Sequence, residues 1–215
     1  MDTAVKPPAR AGEVIKRLKE RYPQARIALE YTNPLELLVA TILSAQCTDV
    51  RVNQVTAALF KKYRTAEDYA AADITQFEQD IRPAGFYRNK AKNIVSAAAL
   101  IVAKYGGQVP RTMAELTTLP GVARKTANIV LFNAYGVIDG IAVDTHVRRL
   151  SQRLGLSEHS DPVKIEQDLM QQVPKKKWGK FSYLLIDHGR AVCTARKPKC
   201  DACLLNDICP AAFNV

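Results

Sequence analysis

Four cysteines stand within 17 residues near the C-terminal end, as Cys193-x6-Cys200-x2-Cys203-x5-Cys209. The residues between them are rich in Lys, Pro and Asp, so this stretch has no means of forming an apolar core. It must close around something that thiols bind, or be cross-linked. Two disulfides would suit an oxidising compartment. The N-terminus, Met-Asp-Thr-Ala-Val-Lys-Pro-Pro, lacks the apolar stretch of a secretory signal, so an intracellular chain with thiol ligands is expected. Structural zinc usually takes two close Cys-x2-4-Cys pairs, and only one pair here is that close. The wider gaps favour a [4Fe–4S] cluster wrapped by one loop, with zinc the alternative. Cys47 stands apart and is expected to be a buried free thiol.

The rest of the chain reads as helices. Asn33-Pro34-Leu35-Glu36 is a helix start, with a cap, a proline at the first position and a glutamate three after the cap. The helix it opens, from Leu35 to about Ala45, is apolar nearly all round and should be central. Capped helices are expected from Asp49, Thr65 and Asp73, and another from about Asn89 to Tyr105, stopped by Gly106-Gly107. Residues 1 to 9 read as a loose tail, and Gly12 to Tyr22 as a surface helix. Later helices should open at Asp144 or Thr145 and at Asp161-Pro162, and a last one should span Trp178 to Ala191. Alternation of the strand kind never persists. The expected class is all-α, with ten or so short helices.

Between Leu119 and His146 the chain carries groups suited to chemistry. Leu-Pro-Gly-Val-Ala-Arg-Lys-Thr (Leu119 to Thr126) has the form of a helix-hairpin-helix, with Thr112 capping the first helix and Glu115 completing a capping box. Backbone N–H groups at such a turn and helix start suit a nucleic-acid phosphate. Lys125 falls in the first turn of the second helix, and Val-Asp-Thr-His (Val143 to His146) lies beyond it. A plain helical corner and an ordinary Asp144 N-cap are the bland alternatives.

Charge points the same way. The 31 basic and 21 acidic residues give a net +10. Eight Lys or Arg lie between Lys175 and Cys200 against the single acid Asp187, and Arg82, Arg88, Lys90 and Lys92 form a second group. Clustered basic charge suits a polyanion. The longest uncharged run, Thr126 to Ile138, has 13 residues, short of the roughly 20 a membrane helix needs.

The hairpin, then Val-Asp-Thr-His, then the four cysteines, together with Leu-Ser-Ala-Gln-Cys-Thr-Asp (Leu43 to Asp49) and Gly-Phe-Tyr-Arg-Asn-Lys-Ala (Gly85 to Ala91), resemble the endonuclease III family. These are bifunctional DNA glycosylases and abasic-site lyases of base excision repair. The resemblance implies two helical lobes with the active site in the cleft between them. One is a six-helix barrel lobe over residues 28–138 that holds the hairpin. The other, residues 1–27 plus 139–215, holds a [4Fe–4S] cluster on Cys193, Cys200, Cys203 and Cys209.

By the same resemblance Lys125 and Asp144 are catalytic. Gln46 would fill the gap left by a flipped nucleotide, and Phe86 would wedge into the base stack. Gly121, Val122, Ala123, Arg124, His146, Arg196, Lys197 and Lys199 would contact DNA. The implied partner is double-stranded DNA with oxidised pyrimidines or abasic sites, met by a cytoplasmic, nucleoid-associated bacterial or archaeal monomer. Ala123 departs from the family's usual second hairpin glycine, adding a methyl group and restricting φ. Arg148 stands where an apolar residue is usual.

The chemistry needs such residues. A base inside a duplex must be extruded before it is cut. An amine can attack C1′ to form a Schiff base that eases β-elimination, and a carboxylate can stabilise the positive charge on the sugar. A lysine at its ordinary pKa is only about one part in a thousand neutral near pH 7, so the nucleophile must lose a proton. Two other readings share these residues. One is a monofunctional glycosylase in which Asp144 activates water; the other is a non-catalytic DNA-binding protein.

Overall fold

The computed structural model describes residues 7–214, with side chains from Arg10 onward. Every regular element among them is helical, in two compact units. No helix there is long and apolar enough to cross a membrane.

The unit Ala28–Asp139 contains α2 (Pro34–Leu43), α3 (Asp49–Lys62), α4 (Ala66–Ala70), α5 (Ile74–Asp80), α6 (Tyr87–Tyr105), α7 (Met113–Leu116) and α8 (Arg124–Tyr135). These are seven segments, of which α4 and α7 are little more than single turns. Helix α2 is the pivot: every residue from Leu37 to Leu43 is buried, because it packs on α3, α6 and α8. Full burial of each leucine contributes about 1.5–3 kcal/mol. Beside it, Tyr63, Tyr69 and Phe77 form an aromatic cluster with ring centroids 5.2–5.8 Å apart.

Local capping sets most helix starts. Asn33 Oδ1 accepts from the Glu36 N–H at 3.0 Å. The Glu36 carboxylate reaches past the cap and accepts from the Thr32 N–H at 2.6 Å. Thr65 and Asp68 form a reciprocal capping box, and Asp73 caps α5. Helix α3 is capped by Thr48, one residue before its expected start. Helix α2 ends at Leu43, earlier than Ala45, and α6 starts at Tyr87, two residues before Asn89.

The second unit, Met1–Ile27 with Gly140–Val215, holds α1 (Pro7–Arg21), α9 (Thr145–Arg153), α10 (Pro162–Gln172) and α11 (Trp178–Ala191). Helix α11 packs on α1 and α9, and α10 packs on the same two. Val14, Leu18, Val147, Leu150, Ile165, Leu169, Phe181 and Leu185 fill the space among them. The expected loose tail is helical from Pro7; residues 1–6 lie outside the described part. Arg17 on α1 donates to both carboxylate oxygens of Asp207, at 2.6 and 3.0 Å, and to the Leu204 carbonyl at 2.8 Å. The first helix is thereby tied to the cysteine-bearing C-terminal segment.

Candidate active site and nucleic-acid interface

Thr112 caps α7 by accepting from the Glu115 N–H at 3.3 Å. The Glu115 carboxylate accepts from the Thr112 hydroxyl at 2.7 Å, a side-chain pair in place of the backbone bond of the expected capping box. The turn then passes Gly121 in the left-handed region, φ +77°. A Cβ at Gly121 would also come within 2.9 Å of the Asn93 Cβ on α6. Conformation and space both demand glycine here. The Val122 side chain is buried and its N–H bonds to the Leu119 carbonyl at 3.1 Å, so Val122 builds the turn. Gly121 and Ala123 are the exposed residues of the turn. Ala123 sits at φ −89°, ψ 171°, a region open to any residue, so its methyl group imposes no backbone restriction. Arg124 and Lys125, both half-buried, open α8.

In the same unit Gln46 and Phe86 line one cavity of about 190 Å³ with Ile42, Asn89, Asn93 and Gly121. Phe86 is 65% exposed, which rules out the plain core role open to it on sequence alone. Gln46 lies just beyond the α2 terminus and is exposed. Both have left-handed backbones, φ 52° and 48°; among the described residues, the other such non-glycine is Phe213. Each of these conformations costs about 1–3 kcal/mol and persists only where its surroundings enforce it. Lys90 completes the cavity wall. The sequence groups it with surface cations, but it is 4% exposed and points inward, so the charge available to a polyanion there comes from Arg82, Arg88 and Lys92.

In the second unit Asp144 caps α9, its Oδ1 accepting from the Val147 N–H at 2.8 Å. Capping occupies one carboxylate oxygen and leaves Oδ2 for other work. Asp144 is half-buried. His146 is the second residue of α9, with its Nδ1 3.1 Å from Arg149 Nη2. A Cβ at Gly189 would fall 2.8 Å from that nitrogen, so α11 needs a glycine there for close approach. Exposed Arg148 reaches no core position and asks no apolar partner of its surroundings.

The four cysteines Cys193, Cys200, Cys203 and Cys209 are half-buried free thiols lining one cavity, with Val192, Pro198 and Ala212 among its apolar walls. Cys47, expected to be buried, is half-buried and lies in the other unit. Burial pushes the Cys203 and Cys209 thiols up, and neighbouring cysteines add to it. Iron would displace those protons. The four thiols share one cavity whose lining holds no carboxylate or imidazole, the all-sulfur donor set that a [4Fe–4S] cluster takes.

Around these sulfurs stand groups that the sequence did not single out. Arg153 Nη1 donates to Cys193 Sγ at 3.3 Å and to the Thr194 carbonyl at 2.8 Å, while Nη2 donates to the Ala195 carbonyl at 3.0 Å. Arg149 donates to the Cys193 carbonyl at 2.9 Å. His188 is buried, and burial lowers its pKa to about 4. Its Nε2 lies 3.3 Å from Cys203 Sγ and its Nδ1 3.2 Å from the Tyr22 hydroxyl. A neutral ring has one N–H, so a Cys203 thiolate would fix it on Nε2 and leave Nδ1 accepting from Tyr22. The i, i+4 pair Arg149 and Arg153 on α9 was a readable signal for a stripe facing one partner. Arg196, Lys197 and Lys199 stand exposed on the loop these arginines hold.

Residues 39–175 match the HhH-GPD superfamily of base excision DNA repair proteins. Residues 193–209 match the iron–sulfur binding domain of endonuclease III. The endonuclease III of Synechocystis sp. is 56% identical over 203 residues, covering 94% of this chain and 93% of its own. A solved structure described as a non-covalent endonuclease III–DNA complex superposes with a TM-score of 0.92 at 44% identity, covering 96% of this chain and 97% of that one. A second, a trapped endonuclease III–DNA covalent intermediate, gives the same TM-score, identity and coverage.

Proposed function

This chain belongs to the endonuclease III family of base excision DNA repair proteins, and from that premise we propose which of its residues carry out base removal and strand cleavage. The protein is a DNA glycosylase with abasic-site lyase activity, and a [4Fe–4S] cluster is its cofactor. The observation that carries the residue assignment is the position of Lys125. It sits half-buried in the first turn of α8, directly after the glycine turn suited to a phosphate.

Lys125 is assigned as nucleophile. With its proton lost, Nζ attacks C1′ of the extruded nucleotide and the glycosidic bond breaks, the base leaving with the bonding electrons. The sugar ring then opens as the C1′–O4′ bond breaks and O4′ takes a proton, and the Schiff base so formed acidifies the C2′ proton, whose loss expels the 3′ phosphate by β-elimination. Asp144, whose capping bond uses only Oδ1, is assigned to stabilise the positive charge on the sugar or to take the lysine's proton. Gly121 and Ala123 hold a backbone phosphate through their amides. Gln46 fills the vacated stack and Phe86 wedges into it; their exposure and enforced backbones support these roles.

Cys193, Cys200, Cys203 and Cys209 are the assigned cluster ligands, and the cluster supplies a rigid anchor for the loop carrying Arg196, Lys197 and Lys199 to DNA phosphates. The substrate class we assign is oxidised pyrimidines and abasic sites in duplex DNA, acted on by a cytoplasmic monomer.

Borohydride trapping tests the reading, on one duplex carrying thymine glycol and one carrying an abasic site, with wild type and Lys125→Gln. A covalent adduct from wild type alone, on both, is the expected result. An adduct on the abasic duplex only would keep the lyase and remove thymine glycol as substrate. Base release without any adduct would overturn Lys125 as nucleophile and favour Asp144-activated water.

A further inference from the structure

Lys90 is the least expected cation in the molecule. It lies in the first turn of α6, is 4% exposed, and donates to carbonyls rather than to a carboxylate. Its Nζ donates to the Leu43 carbonyl at 2.7 Å and to the Ala84 carbonyl at 2.9 Å. Leu43 is the last residue of α2, so its carbonyl is one that the helix leaves unpaired. Ala84 ends the short 3-10 turn Arg82–Ala84. An ammonium group at a helix C-terminus satisfies both the orphan carbonyl and the negative end of the helix dipole. Burial pushes the Lys90 pKa down, while the Cys47 thiol pulls it up.

The residues just beyond each carbonyl give the bond its consequence. Three residues after Leu43 comes Gln46, at φ 52°, inside a turn closed by the Cys47 N–H on the Ser44 carbonyl at 3.1 Å. Two residues after Ala84 comes Phe86, at φ 48°, which leads into α6 with its carbonyl accepting from the Lys90 N–H at 3.2 Å. One amine therefore joins the two segments whose backbones are held left-handed, at the wall of the cavity that both line.

We propose that Lys90 is a positioning residue that locks Gln46 and Phe86 into a single frame for entering the DNA stack, acting through the Leu43 and Ala84 carbonyls and never touching DNA. The inference rests on the plug and wedge roles given to Gln46 and Phe86 above. It explains why a strongly solvated side chain is buried in a basic protein: a methionine or leucine would fill the space and leave two buried carbonyls unsatisfied.

The test uses the full-length, cluster-loaded protein and the variants Lys90→Met and Lys90→Gln, the latter keeping one donor in case the former fails to fold. Hydrogen exchange in the DNA-free protein should quicken together in residues 44–48 and 84–88. Thymine glycol release from duplex DNA should fall about tenfold to a hundredfold, the cost of losing buried charged hydrogen bonds. Lyase cleavage of an abasic site in a single-stranded oligonucleotide, which needs no extrusion, should stay within about twofold. Adding Lys90→Met to a Gln46→Ala, Phe86→Ala double variant should cost little more than the double variant alone.

Unchanged exchange in either segment overturns the proposal. So does an equal loss on both substrates, which would put Lys90 in the chemistry. If exchange quickens but the double variant keeps full duplex activity, the plug and wedge roles fall and the strut between the two segments stands.

Discussion

Gln46, Phe86 and Lys125 stand at the ends of helices with an apolar core beneath them, whereas Arg196, Lys197 and Lys199 stand on a segment with almost none. Around the first group, Leu37, Leu38, Leu43, Ala91, Ile94 and Leu131 are all essentially inaccessible. From Cys193 to Asn214 the one buried side chain is Leu205. Packing over-determines the first region; the second also carries a left-handed residue, Phe213, with no such core beneath it. The second must borrow order from thiol ligation, from Arg149 and Arg153 below, and from Arg17 at Asp207. The two surfaces we assign to DNA thus owe their shape to different forces, and each should fail in its own way.

The largest effect should come from removing the cluster by Cys203→Ala. Amides of residues 193–214 should lose protection while those of α2, α6 and α8 keep theirs, read by hydrogen exchange. DNA affinity should drop, and the slope of log K against log salt should shrink by about 2–3 as three basic contacts disperse. Loss of protection throughout the unit Ala28–Asp139 would erase the contrast.

Next in size is Leu131→Ala in α8, where the residue is fully buried. It should cost about 2–5 kcal/mol in denaturant unfolding, and leave iron content and the cluster's absorbance unchanged. A smaller cost, about 1–2 kcal/mol, is expected for Arg153→Met. It should appear as local opening of the cysteine loop, with little change in the global midpoint.

The smallest effect concerns acid. Burial raises the Asp80 carboxyl, but hydrogen bonds from Lys62, Gln76 and Tyr63 outweigh it and hold the group below its usual value. A depressed carboxylate adds stability above its unfolded pKa of about 3.9 and loses it as pH falls below that. Asp80→Asn should therefore cost under about 1 kcal/mol at pH 6 and nearly nothing at pH 2. An undiminished difference at pH 2 would mean that packing, not charge, is at work there.

The chain's local chemistry is legible in its sequence. Caps at Asn33, Thr65, Asp73, Asp144 and Asp161, and the stop at Gly106, act over three or four residues, so neighbours in sequence suffice to read them. The all-helical class and the four-thiol loop are legible for the same reason. Features that stay hidden depend on partners far along the chain. Lys90 reads as surface charge because its acceptor at Leu43 is 47 residues away. The spacing of Arg149 and Arg153 marks a shared face but not what it faces, because the carbonyls they hold lie some 40 residues on. Gly121 reads as a turn glycine, and only the approach of Asn93 makes it spatially irreplaceable. Sequence by itself determined the helices, the hairpin and the four-thiol loop, since propensity, capping and thiol spacing are local properties. Only the tertiary structure decided which cations face solvent and which brace the backbone, because burial of a charge is settled by whatever carbonyls the fold brings to it.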